Sequence, residues 1–159
     1  MIRRAGVHDL NALYELEGLC FAERRFRKEH LLWILKNPRA ATFVFENGGV
    51  VGALMIQDER SVTRVLSVGV HPSHRRQGVG TELMGVAEEM ARTFRAAEVR
   101  LEVNTANEGA IAFYRRIGYE VLGRLPHYYS WGDDAFAMAK RISAARAMRD
   151  SKALRADLS

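Results

Sequence analysis

The sequence predicts an α/β (α+β) fold, in which a mixed, mostly antiparallel sheet of about six or seven strands is flanked by about four helices. Two observations lead to this prediction. Short runs of β-branched and aromatic residues separated by turn residues predict neighbouring antiparallel strands. One such run, "VTRVLSVGV", is followed by a helical pattern and then by "EVRLEVN". This strand–helix–strand order predicts a right-handed crossover whose two strands are parallel.

The first part of the chain predicts one strand, two helices and a hairpin. Residues 1–5 predict a short strand, and apolar residues at helical spacing predict helices over residues 8–21 and 28–36. The segments "ATFVFE" and "VVGALMIQ" then predict two paired strands. Between them, Asn47 and Gly48 are expected to supply the positive φ angles of a tight turn.

The second part of the chain alternates strands with helices. After "VTRVLSVGV", apolar residues at helical spacing predict a helix over residues 81–94, followed by the strand "EVRLEVN". A further helix over residues 108–117 is expected to begin with a capping box of Thr105 and Glu108 and to end at Gly118. Two final strands are predicted at "YEVLGRL" and "AFAMAKR".

Composition narrows the classes of protein to consider. The chain has 159 residues, of which 48% are hydrophobic, enough for a folded core. No apolar run approaches the ~20 residues that span a bilayer, and the N-terminus shows no signal-peptide pattern. Cys20 is the one cysteine and cannot form an internal disulfide, so we expect a cytoplasmic protein. We also expect a monomer or weak dimer that does not act on membranes. The formal net charge of +5 favours anionic partners: a nucleic acid, a phosphorylated cofactor or an acidic protein.

The segment "HRRQGVGTELM", residues 74–84, has the residue types of an anion site. Glycines let the backbone approach a ligand, arginines attract negative charge, and the N–H groups at a helix start bind phosphate. The segment lacks the third glycine of a dinucleotide fingerprint and the Gly-Lys-Ser/Thr of a P-loop. The alternative is an ordinary strand-to-helix loop whose glycines only relieve steric crowding.

These residues resemble a known family. The loop "RRQGVG" resembles the Arg/Gln-x-x-Gly-x-Gly/Ala loop with which the GNAT superfamily of acyl-CoA N-acyltransferases cradles the pyrophosphate of coenzyme A. The segment "LEVNTANEGAIAFYRRIGYEVLGRLPHYYSWGDDAFAMAKRI" is similar to the C-terminal half of protein N-terminal acetyltransferases of the ribosomal-protein-alanine type and their archaeal relatives. The resemblance implies a single GNAT domain over residues 1–142. It leaves residues 143–159 as a basic tail, either a surface helix or partly disordered, with a partner-docking helix as the alternative.

The resemblance also implies how acetyl-CoA, the expected co-substrate, is bound. The backbone of Val68 is expected to pair with the pantetheine arm, and the backbone N–H of Val70 to receive the oxygen of the reacting carbonyl. Asn107 is expected to contact the same arm, although an ordinary role at a helix start is an open alternative. The remaining predicted cofactor residues are Arg75, Arg76, Gln77, Gly78, Val79, Gly80, Thr81 and Tyr114.

Two side chains are candidates for proton transfer. In "EVRLEVN", alternation places Glu102 on the polar face of a strand, and the matching Glu of the family is the general base. The alternative is an exposed strand glutamate paired with an arginine. Tyr114 matches the general acid of the family, since a phenol with a pKa near 10 can protonate a leaving thiolate. Packing of an amphipathic tyrosine in the core is the alternative.

The acceptor implied by the resemblance is a protein or peptide N-terminus. Tyr128 and Tyr129 match residues of the family that bind the peptide, and Trp131 adds an aromatic wall. Phe21 and Glu23 fall where the substrate loop lies, although this chain has Ala22 where many relatives carry a proline. A lysine acetyltransferase, a small-molecule amine acetyltransferase and a non-catalytic acyl-CoA sensor are the alternatives.

Three other features favour simpler interpretations. Cys20 has no base predicted near it, so we expect a packing residue rather than an acetylated nucleophile. His71 and His74 lack further ligands at suitable spacing, so no metal is expected. The predicted helix over residues 81–94 carries three glutamates, which disfavours a nucleic-acid recognition helix.

Overall fold

A computed structural model of the protein describes residues 1–142, and the predicted tail, residues 143–159, lies outside the described residues. The described chain contains seven strands, four α-helices and three short 3₁₀ turns. In chain order these are β1 (Ile2–Arg4), a turn at Val7–Asp9, α1 (Leu10–Phe21), a turn at Ala22–Arg24, α2 (Lys28–Lys36), β2 (Ala40–Glu46), β3 (Val50–Asp58), β4 (Val62–Val70), a turn at Pro72–His74, α3 (Val79–Phe94), β5 (Glu98–Asn104), α4 (Glu108–Arg116), β6 (Glu120–Leu125) and β7 (Ala135–Arg141).

The strands form one mixed sheet in the order β1-β2-β3-β4-β5-β7-β6. Strands β4 and β5 run parallel, with Arg64 opposite Arg100, and α3 connects them along the chain. The pairs β1–β2, β2–β3, β5–β7 and β6–β7 are antiparallel. The predicted fold class is therefore confirmed, including its crossover and its numbers of strands and helices.

The contacts divide the chain into two compact units, of which the first comprises residues 1–59 and 65–89. In this unit, helices α1 and α2 bury one apolar stripe each, and the inward side chains of β2 and β3 complete the core. Burial of these apolar side chains is the main term that stabilises the unit. The fully packed members are Leu13, Leu16, Leu31, Ile34, Ala40, Val44, Ala53 and Met55.

The hairpin turn between β2 and β3 differs in detail from the prediction. Gly48 and Gly49 adopt φ angles of +68° and +139°, whereas Asn47 does not adopt a positive φ. Two consecutive glycines take these conformations without a steric cost, so the asparagine is not required to. The Asn47 N–H instead donates to the carbonyl of Gly49 at 2.9 Å.

Helix α3 begins at Val79, two residues before the predicted start. The reason is packing, because Val79 and Leu83 are both buried and both lie against Gly52 of β3. A Cβ on Gly52 would lie 2.9 Å from Cγ1 of Val79 and 3.1 Å from Cδ1 of Leu83. The glycine therefore permits the first turn of α3 to approach the strand closely, and this contact extends the helix toward the loop.

The second unit comprises residues 60–64 together with the chain from Met90 onward. Alternation in β5 is as predicted, since Val99, Leu101 and Val103 are buried and the intervening residues are not. Leu101 lies opposite Met138 of β7, which is also fully buried. Helix α4 buries Ile111 and Tyr114, which their three-residue spacing places on one face.

The start of α4 corrects one prediction. Glu108 is the first residue of the helix, so it cannot be the third residue after the cap that a capping box with Thr105 requires. Asn107 is the cap, and its Oδ1 accepts the N–H of Ala110 at 3.2 Å. The amide side chain thus satisfies one of the free N–H groups at the helix start.

Residues 1–142 contain neither a membrane-spanning helix nor a cluster of metal ligands. None of the described helices has the length and apolar character needed to cross a membrane. The described chain likewise holds no group of three or more His, Cys, Asp or Glu side chains arranged to bind a metal ion. The two histidines of the loop after β4 share a hydrogen-bond partner instead, because Ser73 Oγ lies 2.8 Å from Nδ1 of both His71 and His74.

Candidate active site

The predicted anion loop follows β4 in the first unit. Arg75 donates from Nε to the carbonyl of Val70 at 3.0 Å, which fixes the arginine to the end of the strand. Arg76 and Gly78 then adopt φ angles of +63° and +82°, and these left-handed conformations reverse the chain just before α3 begins. Glycine accepts such a φ without cost, which explains its presence at position 78.

This loop has the properties of an anion site. Arg75, Arg76, Gln77 and Gly78 are exposed to solvent. The first intrahelical bond of α3 runs from the Glu82 N–H to the Gly78 carbonyl at 3.0 Å, so the N–H groups before it have no helical partner. Such groups and the positive end of the helix dipole favour a phosphate. Binding of coenzyme A by this loop, and by the backbone of Val68 and Val70 in β4, stays a prediction.

Cys20 lies beside the same strand end. Its Sγ is 3.4 Å from the carbonyl oxygen of Val70, and Gly69 leaves room for it, since a Cβ there would lie 2.9 Å from the sulfur. Burial raises the pKa of the Cys20 thiol, although the Arg75 guanidinium acts in the opposite direction. A protonated thiol is a weak nucleophile, which favours the interpretation of Cys20 as a packing residue.

The predicted acceptor loop also belongs to the first unit. Phe21 ends α1 and is 38% exposed, and Glu23 lies in the exposed turn that follows. Between them, Ala22 adopts a φ of +53°. Proline is restricted to a φ near −65°, so a proline at this position would require a different backbone. The departure from the pattern of the family is therefore a change in loop shape.

Glu23 lines an open depression together with Glu15, Gly18, Leu19, Ala22 and Arg25.

Glu17 is a buried, hydrogen-bonded carboxyl group that the sequence alone did not predict. It lies on α1, is 5% exposed, and accepts a hydrogen bond from Ser67 Oγ of β4 at 2.8 Å. The backbone N–H of Phe26 also donates to it. Burial raises the pKa of Glu17, and these two hydrogen bonds oppose the increase. Ser67 is 50 residues away along the chain, so no local pattern could have found this contact.

The candidate base belongs to the second unit, where Glu102 forms an ion pair with Arg64 of the adjacent parallel strand. The side chains are 14% and 25% exposed, so the pair is partly buried. A second pair lies on the same face of β5, where Arg100 Nε is 2.6 Å from Glu98 Oε1. The alternative of a strand glutamate paired with an arginine is therefore realised, but in a partly buried setting. Sequence reasoning missed Arg64, because its position depends on the register of β4 and β5.

Tyr114 is packed in the core of the second unit, with 8% of its surface exposed. Its ring contacts the ring of Tyr119 edge-to-face at 6.0 Å and that of Phe113 at 5.3 Å. Burial and, to a smaller extent, the neighbouring Tyr129 raise the pKa of Tyr114. The phenol consequently stays protonated at physiological pH, as a proton donor must. The alternative of core packing is therefore realised, and the role of general acid stays a prediction.

The aromatic residues Tyr128, Tyr129 and Trp131 form a cluster in the loop between β6 and β7. The rings of Tyr128 and Tyr129 meet edge-to-face at 5.1 Å, and those of Tyr129 and Trp131 stack at 4.7 Å with 14° between their planes. Burial and the charges of Tyr128, Glu102 and Asp133 raise the pKa of Tyr129 to about 12. Within the second unit, Tyr129 thus interacts electrostatically with Glu102 and with Tyr114. Their assigned roles stay predictions, as do those of Asn107, Phe21 and Glu23.

Comparison with known proteins identifies relatives of this chain. The sequence profile described as the acetyltransferase (GNAT) family matches residues 10–119. The chain is 34% identical over 155 residues to an N-alpha-acetyltransferase of Sulfurisphaera tokodaii, with 87% of this chain and 90% of the relative covered. It is 32% identical to the NAA10 catalytic subunit of the N-terminal acetyltransferase A complex of Arabidopsis thaliana, with 89% and 77% covered. Among solved structures, the ribosomal-protein-S18-alanine N-acetyltransferase of Escherichia coli matches with a TM-score of 0.81 and 25% identity, with 90% and 94% covered.

Proposed function

Because the chain belongs to the GNAT acetyltransferase family and is an acetyltransferase, we propose that it moves an acetyl group from acetyl-CoA directly to the α-amine of a protein or peptide N-terminus. The observation that best supports the proposal is that the charge of Glu102 acts on Tyr129, which in turn acts on the buried phenol of Tyr114. The names of the archaeal and plant relatives support the choice of an N-terminal amine.

In this proposal Glu102 is the general base. An α-amine with a pKa of about 8 is mostly protonated at pH 7, and only the neutral amine attacks a thioester. Removal of that proton costs about 1.4 kcal/mol at pH 7. A carboxylate can accept the proton directly or through one water. The ion pair with Arg64 holds the Glu102 side chain in place.

Tyr114 is the proposed general acid. Attack of the neutral amine on the thioester carbon forms the new C–N bond, and collapse of the tetrahedral intermediate breaks the C–S bond. The departing sulfur takes a proton from the Tyr114 hydroxyl. The first proton of the amine passes through Glu102 to solvent, and the second, lost from nitrogen as the amide forms, restores the Tyr114 hydroxyl. The backbone N–H of Val70 is the proposed donor to the negative oxygen of the intermediate.

The cofactor assignment depends on the loop at the start of α3. Exposed Arg75 and Arg76 supply positive charge, and the open space around Gly78 leaves the backbone accessible to a pyrophosphate group. The residues present therefore fit the diphosphate of coenzyme A. Val68 and Asn107 complete the proposed contacts with the pantetheine arm.

The α-amine is favoured over a lysine on two grounds. A lysine with a pKa near 10.4 requires about 3 kcal/mol more than an α-amine of about 8 to lose its proton. The ring cluster of Tyr128, Tyr129 and Trp131 offers rigid walls on which the start of a peptide chain can lie.

Initial rates on two matched peptides test the acceptor. One peptide has a free α-amine and an acetylated lysine, and the other has a blocked α-amine and a free lysine. We expect acetyl transfer from acetyl-CoA to the first peptide at least about tenfold faster. Equal rates would indicate a lysine acetyltransferase, turnover of free amino acids or polyamines alone would indicate a small-molecule enzyme, and binding without turnover a sensor.

The order of transfer is tested by steady-state kinetics with both substrates varied. Direct transfer predicts intersecting double-reciprocal lines, whereas an acetylated Cys20 intermediate predicts parallel lines. Cys20→Ala is the control variant, and we expect it to retain turnover and the intersecting pattern. Parallel lines together with an inactive Cys20→Ala protein would contradict direct transfer.

A further inference from the structure

The loop between β6 and β7 holds Tyr129 at three points. The backbone N–H of Tyr129 donates to the carbonyl of Asp133 at 3.1 Å, and its own carbonyl accepts the N–H of Gly132 at 2.9 Å. Gly132 has a φ of +101°, which closes this tight turn. The third point is the ring, which stacks on the indole of Trp131. Backbone and side chain of Tyr129 are therefore both restrained within a few residues of the loop.

Trp131 is itself fixed by a carboxylate that reaches strand β5. Its indole Nε1 donates to Oδ2 of Asp133 at 2.8 Å. The same oxygen accepts a hydrogen bond from Nδ2 of Asn104, the last residue of β5, at 2.9 Å. Since Glu102 precedes Asn104 by two residues on this strand, the contacts form a continuous path from the strand of the candidate base to the ring of Tyr129.

Trp131 combines a fixed orientation with a large exposed surface. It is 41% exposed, and Tyr128 is 48% exposed. Both side chains therefore present aromatic surface to solvent, where a ligand can contact it. Stacking on Tyr129 and the hydrogen bond to Asp133 make Trp131 a rigid wall with one polar contact, the arrangement that aromatic residues use to hold a ligand.

We propose that Trp131 is a positioning residue for the acceptor peptide, which acts by fixing the ring of Tyr129 through the Asn104–Asp133–Trp131 hydrogen-bond path. The inference rests on the proposed function, because it takes Tyr129 as a residue that contacts the acceptor. It goes further by assigning a role to three residues outside the proton-transfer set. Loss of the indole loosens the peptide-binding wall and leaves the acetyl-CoA loop of the first unit unchanged.

Steady-state kinetics of Trp131→Ala and Trp131→Phe test this role. An aromatic pair contributes about 0.5–1.5 kcal/mol, so we expect Trp131→Ala to raise KM for the peptide roughly three- to tenfold. KM for acetyl-CoA is expected to stay within about twofold of wild type. Trp131→Phe retains a ring but not the N–H, so its KM for the peptide should lie between those of wild type and Trp131→Ala. Trp33→Ala, which removes the exposed tryptophan of α2, is the matched control and should leave both KM values unchanged.

A double-mutant cycle distinguishes the path from independent contacts. Asp133→Ala removes the acceptor of both Trp131 and Asn104, so its effect on peptide KM should not add to that of Trp131→Ala. Additive effects, equal increases in the KM of both substrates, or an unchanged peptide KM in Trp131→Ala would each overturn the inference.

Fluorescence supplies a readout that does not require turnover. The chain has two tryptophans, so Trp33→Phe leaves Trp131 as the one reporter. We expect saturable quenching or a spectral shift when the peptide is added in the presence of coenzyme A. An unchanged emission spectrum would overturn the inference.

Failure of the proposed function gives a different result. If wild type acetylates lysine but not α-amines, that function fails, while the KM values of the lysine peptide still test Trp131.

Discussion

Arg64 on β4 and Glu102 on β5 form an ion pair across the parallel strands of the sheet. The pair is the central relationship of the proposed site, because it engages the carboxylate that the mechanism uses as the base. A guanidinium paired with a carboxylate fixes the orientation of that carboxylate. Arg64 therefore prepares Glu102 for proton transfer, and the pair gives two predictions that can be separated experimentally.

Glu102→Gln is expected to lower turnover by something like 10²-fold, the size typical of a lost general base. Affinity for acetyl-CoA, measured by calorimetry, should be nearly unchanged. Part of the rate should return at high pH, where the amine loses its proton to solvent. Glu98→Gln is the matched control, since Glu98 lies on the same face of β5 in its own ion pair with Arg100. A pH–rate profile of Glu102→Gln parallel to wild type would remove Glu102 from the role of base.

Arg64→Met is expected to lower turnover, because the Glu102 carboxylate loses the guanidinium that fixes its orientation. The loss should be smaller than in Glu102→Gln, since the carboxylate itself remains. Arg100→Met breaks the adjacent pair instead, and its turnover should stay near that of wild type. Equal turnover in Arg64→Met and wild type, measured under the same conditions, would show that the arginine does not orient the base.

Gly80→Glu is expected to lower affinity for acetyl-CoA by about tenfold or more, since it places bulk and negative charge at the proposed pyrophosphate site. Gly85→Glu is the matched control, because Gly85 is an exposed position on the same helix with open space around it. Calorimetry with both folded variants separates the site from a general effect of charge on α3. Equal affinities in the two variants would contradict the loop assignment.

Glu17→Gln is expected to stabilise the protein in a pH-dependent way. Burial raises the pKa of Glu17, so above the ordinary value near 4.5 the folded state holds a proton that the unfolded chain has released. The free energy of unfolding therefore falls as pH rises through this range. Glutamine keeps an acceptor oxygen for Ser67 without this cost. Its advantage should grow to about 1 kcal/mol at pH 8.

Denaturant unfolding at pH 4.5 and pH 8 measures the effect of Glu17→Gln. The control is Glu15→Gln, which makes the same change on the exposed side of the same helix and should alter stability little at either pH. A stability gain of equal size at both pH values would show that ionisation of Glu17 is not the cause.

The sequence could predict most of the elements because their signals are local. Alternation in residues 98–104 places Glu102 on the polar face of β5, and the structure confirms it. The loop before α3 was likewise visible from its arginines and glycines. Element boundaries were less accurate where a tertiary contact decides them, as at Val79, whose burial against Gly52 lengthens α3.

The partners of the site residues could not be predicted because they depend on strand register and helix packing. Arg64 meets Glu102 only because β4 and β5 pair with Arg64 opposite Arg100. Glu17 falls within the apolar stripe of α1, and its partner Ser67 is 50 residues away. The hydrogen bond of Trp131 to Asp133 needs a tight turn whose geometry the letters "SWGDD" do not specify.

The choice between an α-amine and a lysine is tested within one peptide that carries both groups free. The full-length protein is incubated with this peptide and acetyl-CoA, and the singly acetylated product is fragmented in a mass spectrometer at low conversion. We expect the added acetyl group on the first residue in nearly all of this product, and we expect Glu102→Gln to form much less of it. Acetylation mainly on the lysine would contradict the proposed transfer to the α-amine.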